Sequence, residues 1–118
     1  MAYVAHYSDV PQQDLHNGDT IRFTKKRVLI GEKEGAPNFI MRYFTIEKNG
    51  FTPLHKHPWE HESFVLKGEG IVQTEGGEKK IKPGDFIYIP PNELHQFKNV
   101  EEEPLEFLCI IPMQKEEK

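Results

Sequence analysis

Three histidines, His55, His57 and His61, fall within seven residues of the run GFTPLHKHPWEHESFVLKGEG, residues 50–70. On a β-strand, side chains at i and i+2 share a face. His55 and His57 therefore aim their imidazoles at one point. Pro58 interrupts the strand, and the residues after it can bring His61 back toward the same point. Imidazole is the commonest metal ligand that is neutral near pH 7. Three of them at this spacing supply most of a metal site.

A fourth histidine, His95, lies in PGDFIYIPPNELHQFKN, residues 83–99. The two stretches together resemble the paired motifs of the cupin superfamily, G(X)5HXH(X)3,4E(X)6G and G(X)5PXG(X)2H(X)3N. In the second stretch Gly84, Pro90, His95 and Asn99 match every spacing. Asn92 replaces the usual Gly, and Asn is the next most tolerant residue at positive φ. The first stretch departs twice. Gly50 precedes His55 by four residues instead of five, which shortens a loop. The family's Glu position, three residues after the HXH pair and six before Gly68, holds His61. Glu62 is adjacent and is the alternative ligand through a different turn.

The resemblance implies a single-domain cupin over residues 1–118, with an N-terminal arm at 1–20 and a flexible tail at 113–118. It implies an all-β fold, the double-stranded β-helix or jelly-roll barrel of antiparallel strands. The chain is similar, within the family, to compact manganese-binding four-histidine cupins of thermophiles, which share its HPWEHE and FVLKG runs. That likeness implies one divalent transition metal per chain, held by His55, His57, His61 and His95, with Mn²⁺ or Fe²⁺ favoured. Imidazole donors also suit Zn, Ni and Cu. Four neutral donors leave the charge of the ion uncompensated, which favours anionic ligands at its open positions. It also implies a homodimer, with an N-terminal strand at 3–7 able to pair with a partner's sheet.

The elements that must position these histidines are legible in the rest of the chain. No segment carries a helical repeat. About ten short apolar runs, punctuated by nine Gly and nine Pro, predict an antiparallel sandwich or barrel. Val28-Leu29-Ile30 reads as a short buried strand. In 39–47, Phe39, Met41, Tyr43 and Thr45 face one way and Ile40, Arg42, Phe44 and Ile46 the other, so both faces are covered. Lys48-Asn49-Gly50 reads as a turn. Strands follow at 62–67, 71–74, 79–82, 86–89, 96–100 and 105–111, with a hairpin around Gly76-Gly77 and a buried strand at 86–89.

Several residues are candidates for the wall of a substrate pocket. Phe97 is two residues from His95 and shares its face. Phe107, Cys109 and Ile111 form one face of the last strand, as core or as pocket wall, with a thiol near the metal. Arg42 alternates with apolar neighbours, and arginine is rarely buried unpaired. It snorkels to an edge or sits in the pocket to pair a carboxylate. Trp59, in the loop beside the ligands, gates the pocket or buries a dimer contact.

Composition narrows the function classes. The net charge is −4 with mixed signs and no basic patch, so nucleic acid is not an expected partner. No stretch has the apolar length of a membrane span. A single cysteine, Cys109, excludes an internal disulfide framework. The first residues lack a signal-peptide pattern, and a cytoplasmic protein is expected. The expected function is that of a metal-binding oxidoreductase, dioxygenase-like, acting on a small organic molecule. The alternatives are a non-redox isomerase or decarboxylase and a non-catalytic binding cupin, because fold alone does not choose among chemistries.

Overall fold

The computed structural model describes residues 1–114. The last four residues of the expected flexible tail, 115–118, lie outside the described residues. Nine strands form one antiparallel sheet that curls on itself. They are β1 (Gln13–Asp14), β2 (Arg22–Ile30), β3 (Phe39–Phe51), β4 (His61–Lys67), β5 (Gly70–Thr74), β6 (Gly77–Ile81), β7 (Phe86–Ile89), β8 (Gln96–Lys98) and β9 (Leu105–Pro112). The path runs β6-β5-β8-β3-β9-β4-β7, with β2 on β3 and β1 on β2. Among the described residues the only helical pieces are short 3-10 turns at Tyr7–Asp9 and Glu32–Glu34.

The alternation in β3 sets the inside of the barrel. Arg42, Phe44 and Ile46 pair with Cys109, Phe107 and Leu105 on β9. On its other edge, the same three pair with Val28, Lys26 and Thr24 of β2. β4 continues the inner layer, with Val65 opposite Phe107 and Ser63 opposite Cys109. Ile46, Val65, Leu105, Phe107 and Ile89 are at most 1% exposed, so these side chains are the centre of the core. Burying a side chain of that size stabilises the fold by about 1.5–3 kcal/mol. The outer face of β3 is covered too. Tyr43 is buried, its ring stacks on Tyr7 at 4.6 Å, and its hydroxyl meets Glu106.

The arm contributes to its own barrel. Arg27 donates to the carbonyls of Val10 at 2.6 Å and Tyr7 at 3.3 Å, and β1 pairs with β2. Residues 3–5 form no strand within this chain.

Three local expectations need correction. The strand foreseen at Val28-Leu29-Ile30 begins at Arg22 and is only partly buried; its run of cations conceals the earlier start in the sequence. Lys48-Asn49-Gly50 does not end β3. Asn49 takes a positive φ of 66° and the pairing jumps from Thr24–Ile46 to Arg22–Phe51, so the segment is a bulge within a continuous strand. A Cβ on Gly50 would lie 2.7 Å from the Arg22 carbonyl oxygen, so only glycine permits that approach. The strand at 86–89 is not buried. β7 is an edge strand, with Phe86 and Tyr88 exposed on its outer face and Ile89 inside.

Candidate metal centre

His55 and His95 face each other across an isolated antiparallel bridge. The His55 N–H donates to the His95 carbonyl at 3.2 Å, and the His95 N–H donates back to His55 at 3.0 Å. Paired residues on adjacent segments project to the same side, and the two rings lie 5.0 Å apart. The backbone N–H of Asn92 donates to the His57 carbonyl at 2.7 Å, which ties the second loop to the first. Asn92 stands at a φ of 66°, so it does take the left-handed conformation expected where the family usually has Gly. The His57 ring then sits 5.0 Å from His55 and 5.1 Å from His95.

His55, His57 and His95 each offer one ligand nitrogen, and these nitrogens lie within 4.8 Å of one another. The orientation of two of the rings is fixed from behind. The Nδ1 of His57 meets the Trp59 carbonyl at 3.0 Å, and that of His95 meets the Glu93 carbonyl at 2.9 Å. A carbonyl only accepts, so both Nδ1 atoms carry the proton and both Nε2 atoms keep a lone pair. His95 is 2% exposed, and its Nε2 has no partner among the described residues. An orphaned, buried lone pair aimed at two other imidazoles fits a divalent cation.

His61 reaches the same place from β4. Its Nε2 lies 2.7 Å from the Nε2 of His57, and its Nδ1 lies 2.8 Å from the Cys109 sulfur. Alternation along β4 buries His61 and exposes Glu62 on the opposite face. Glu62 thus points away from the three-histidine cluster. Glu60, outside the barrel, borders an outer depression with Phe39 and Ile110.

The electrostatics favour neutral rings. Burial lowers the pKa of His55 to about 4, helped by His95, His57 and Arg42. Burial, then the Arg42 charge and the other histidines, lower that of His61 to about 2. His57 is also lowered, by burial first, against the raising effect of the Trp59 carbonyl. Deprotonated imidazole is the form that binds metal.

The histidines open onto a cavity of about 220 Å³ inside the barrel. Arg42, Phe97, Phe107, Cys109 and Ile111 all line it, as do Phe44 and Trp59. Phe107, Cys109, Phe97 and Ile111 belong at the same time to the buried core cluster, so core and pocket wall are one surface here. Trp59 stacks on His57 at 4.4 Å and 11°. Arg42 donates to the Cys109 sulfur at 3.0 Å and lies over the Phe44 ring at 5.0 Å. Thr24 and Lys26 of β2 complete the wall and escaped notice in the sequence. The available signal was the period Thr24-Lys26-Val28, masked by Arg22, Lys25 and Arg27. His6 and His16 lie on the surface, where His16 accepts from the Phe23 N–H at 3.0 Å.

Asn99, the last residue of the second motif, serves the scaffold. It is fully buried, donates to the Ile46 and Glu103 carbonyls at 2.8 and 2.9 Å, and accepts from the Glu101 N–H at 2.8 Å.

Comparison with known proteins gives concordant results. The family model described as Cupin domain matches residues 42–111. The structure of the polyketide cyclase RemF from Streptomyces resistomycificus superposes with a TM-score of 0.88 and 32% identity, covering 97% of this chain and 81% of that one. A glucose-6-phosphate isomerase from Pyrococcus abyssi is 37% identical over 93 residues, 69% of this chain and 49% of that protein. An oxalate-binding protein from Thermotoga maritima is 39% identical over 59 residues, 49% of each chain. The chain spans about half the length of these curated relatives.

Proposed function

Since the chain belongs to the Cupin domain family, matched over residues 42–111, we propose that it is a metal-dependent enzyme that activates a carbonyl group of a small organic substrate. Isomerisation and ring closure are the reaction types closest to hand. The observation that carries this proposal is the convergence of His55, His57 and His95 on one side of a cavity whose remaining walls are largely apolar. His61 is proposed as a fourth ligand, since its Nε2 already touches that of His57. A divalent ion held there would act as a Lewis acid on a substrate oxygen. The protein's own part is binding and orientation. Phe44, Phe97, Phe107 and Trp59 hold the substrate body and exclude water, which strengthens every electrostatic interaction inside. The names of RemF and of the Pyrococcus isomerase support ring-closing and isomerising chemistry on such a scaffold.

The test follows α-proton exchange. Small ketones, hydroxy-ketones and β-diketones are incubated with metal-loaded protein in D₂O and followed by NMR. Exchange that requires metal and is lost in His95→Ala is the expected result. Its absence across the panel with one metal bound per chain would remove the proposal. An oxygenase with Mn²⁺ or Fe²⁺ is the second reading, favoured by the all-imidazole donor set and the absence of acidic side chains from the described cavity wall. Oxygen consumption by the loaded protein, with no proton exchange, would select it.

A further inference from the structure

Two cations face the same cavity as the histidines. Lys26 on β2 and Arg42 on β3 lie on the inner face, Lys26 paired with Phe44 and Arg42 with Val28, so they are diagonal neighbours. Buried charges are ordinarily paired. Here no acidic side chain is among the described residues lining the cavity, and neither cation takes part in an ion pair among the described residues. The nearest polar contact of Arg42 is the neutral acceptor Cys109, and its Nε is buried without a partner. Burial and then the Arg42 charge depress the Lys26 pKa. The two like charges thus stand half-buried side by side, with no acidic partner among the described residues.

We infer that Lys26 and Arg42 form an anion-recognising wall beside the histidine cluster, and that the substrate or ligand of this cavity is a compact organic carboxylate with an apolar body. The planar guanidinium matches a carboxylate edge, and Lys26 adds a point charge. The apolar body is dictated by Phe44, Phe97 and Phe107, whose rings stack in series at 5.4 and 4.5 Å. Compactness follows from the volume of about 220 Å³, below the range of roughly 300–1,000 Å³ usual for larger ligands. This rests on the proposed function only in placing the substrate in this cavity, since the cations act whether or not the histidines hold metal.

Trp59, the single tryptophan, borders the cavity and reports occupancy by its fluorescence. The protein is titrated with benzoate, benzamide and inorganic phosphate, once metal-loaded and once after treatment with EDTA. Benzoate is expected to bind at least about ten-fold more tightly than benzamide in both states, a difference of about 1.4 kcal/mol. Lys26→Gln and Arg42→Gln should each cut that preference to about three-fold or less, with Arg42→Lys restoring part of it. Lys26 is only half-buried, and its variant guards against a folding defect in Arg42→Gln. Equal binding of benzoate and benzamide by the native chain overturns the inference. So does a carboxylate preference that disappears with EDTA, which would assign the anion to the metal. Tighter binding of phosphate than of benzoate would overturn the carboxylate assignment.

Discussion

The Nδ1 of His61 lies 2.8 Å from the sulfur of Cys109, and the same sulfur accepts from Arg42 at 3.0 Å. One buried thiol therefore joins the histidine cluster to the cationic wall of the cavity. Removing it leaves two polar groups without a partner inside the barrel. Cys109→Ala should destabilise the protein by about 1–3 kcal/mol, and Cys109→Ser by less. Urea denaturation of the metal-free protein distinguishes them, and equal stability of the two variants would show that the sulfur contributes only its volume.

Metal affinity should divide the four histidines unequally. Alanine at His55, His57 or His95 is expected to abolish stoichiometric binding. Alanine at His61 should weaken it by about 10–100-fold, as loss of one ligand or close supporting group does. Isothermal titration with Mn²⁺, Fe²⁺ or Zn²⁺ reads this directly. A His61→Ala protein that binds as tightly as the native chain would confine the ligand set to three residues. Elemental analysis of protein purified without chelator identifies the native ion.

Metal should also stabilise the fold. An ion that binds only the native state adds about 2.7 kcal/mol at a free concentration one hundred times its Kd. The melting temperature should therefore rise with added metal and fall back with EDTA. His95→Ala should melt at the metal-free temperature whatever is added.

Without metal, stability should depend on pH in a defined window. His55 and His61 have folded pKa values of about 4 and about 2, against 6.5 in an unfolded chain. Between about pH 6.5 and pH 4 the unfolded state therefore binds more protons, and stability rises with pH. It is complete above about pH 6.5 and declines as the pH falls toward 4. Urea midpoints of EDTA-treated protein across this range should show the decline, and a His55→Gln, His61→Gln double variant should flatten it. An equal slope in both proteins would place the acid sensitivity elsewhere.

Asn99 offers a control remote from chemistry. Asn99→Ala removes two donors and one acceptor from a fully buried position. A loss of about 2–4 kcal/mol is expected, with metal affinity of the surviving folded protein unchanged.

Much of this architecture was readable from residue types. The period of two in 39–47 placed Arg42 and Phe44 on the inner face, and the i, i+2 spacing set His55 and His57 side by side. His61 rather than Glu62 faces inward because the strand starts at His61 and alternation does the rest. What escaped had physical causes. Lys26 hid among neighbouring cations whose partners lie on another strand, and the bulge at Lys48-Asn49-Gly50 carries the same residues as a turn. The exposure of Phe86 and Tyr88 followed from the place of β7 at the sheet edge, which composition does not encode. The specific likeness to manganese-binding thermophilic cupins narrows, in the structure, to a cupin with a three-histidine cluster that could hold a metal ion.

The mutual backbone hydrogen bonds of His55 and His95 limit how this centre can be retuned. The two ligands share one register, so a slip of a single residue would turn the ligand of the slipped segment away from its partner. Gradual displacement of one ligand is closed to the chain as an evolutionary path. A new metal preference or a new reactivity must come from the groups behind the rings, at Trp59, Glu93 and Cys109, or from the cationic wall beside them. A barrel of this kind diversifies by exchanging what surrounds its imidazoles while the imidazoles stay where they are.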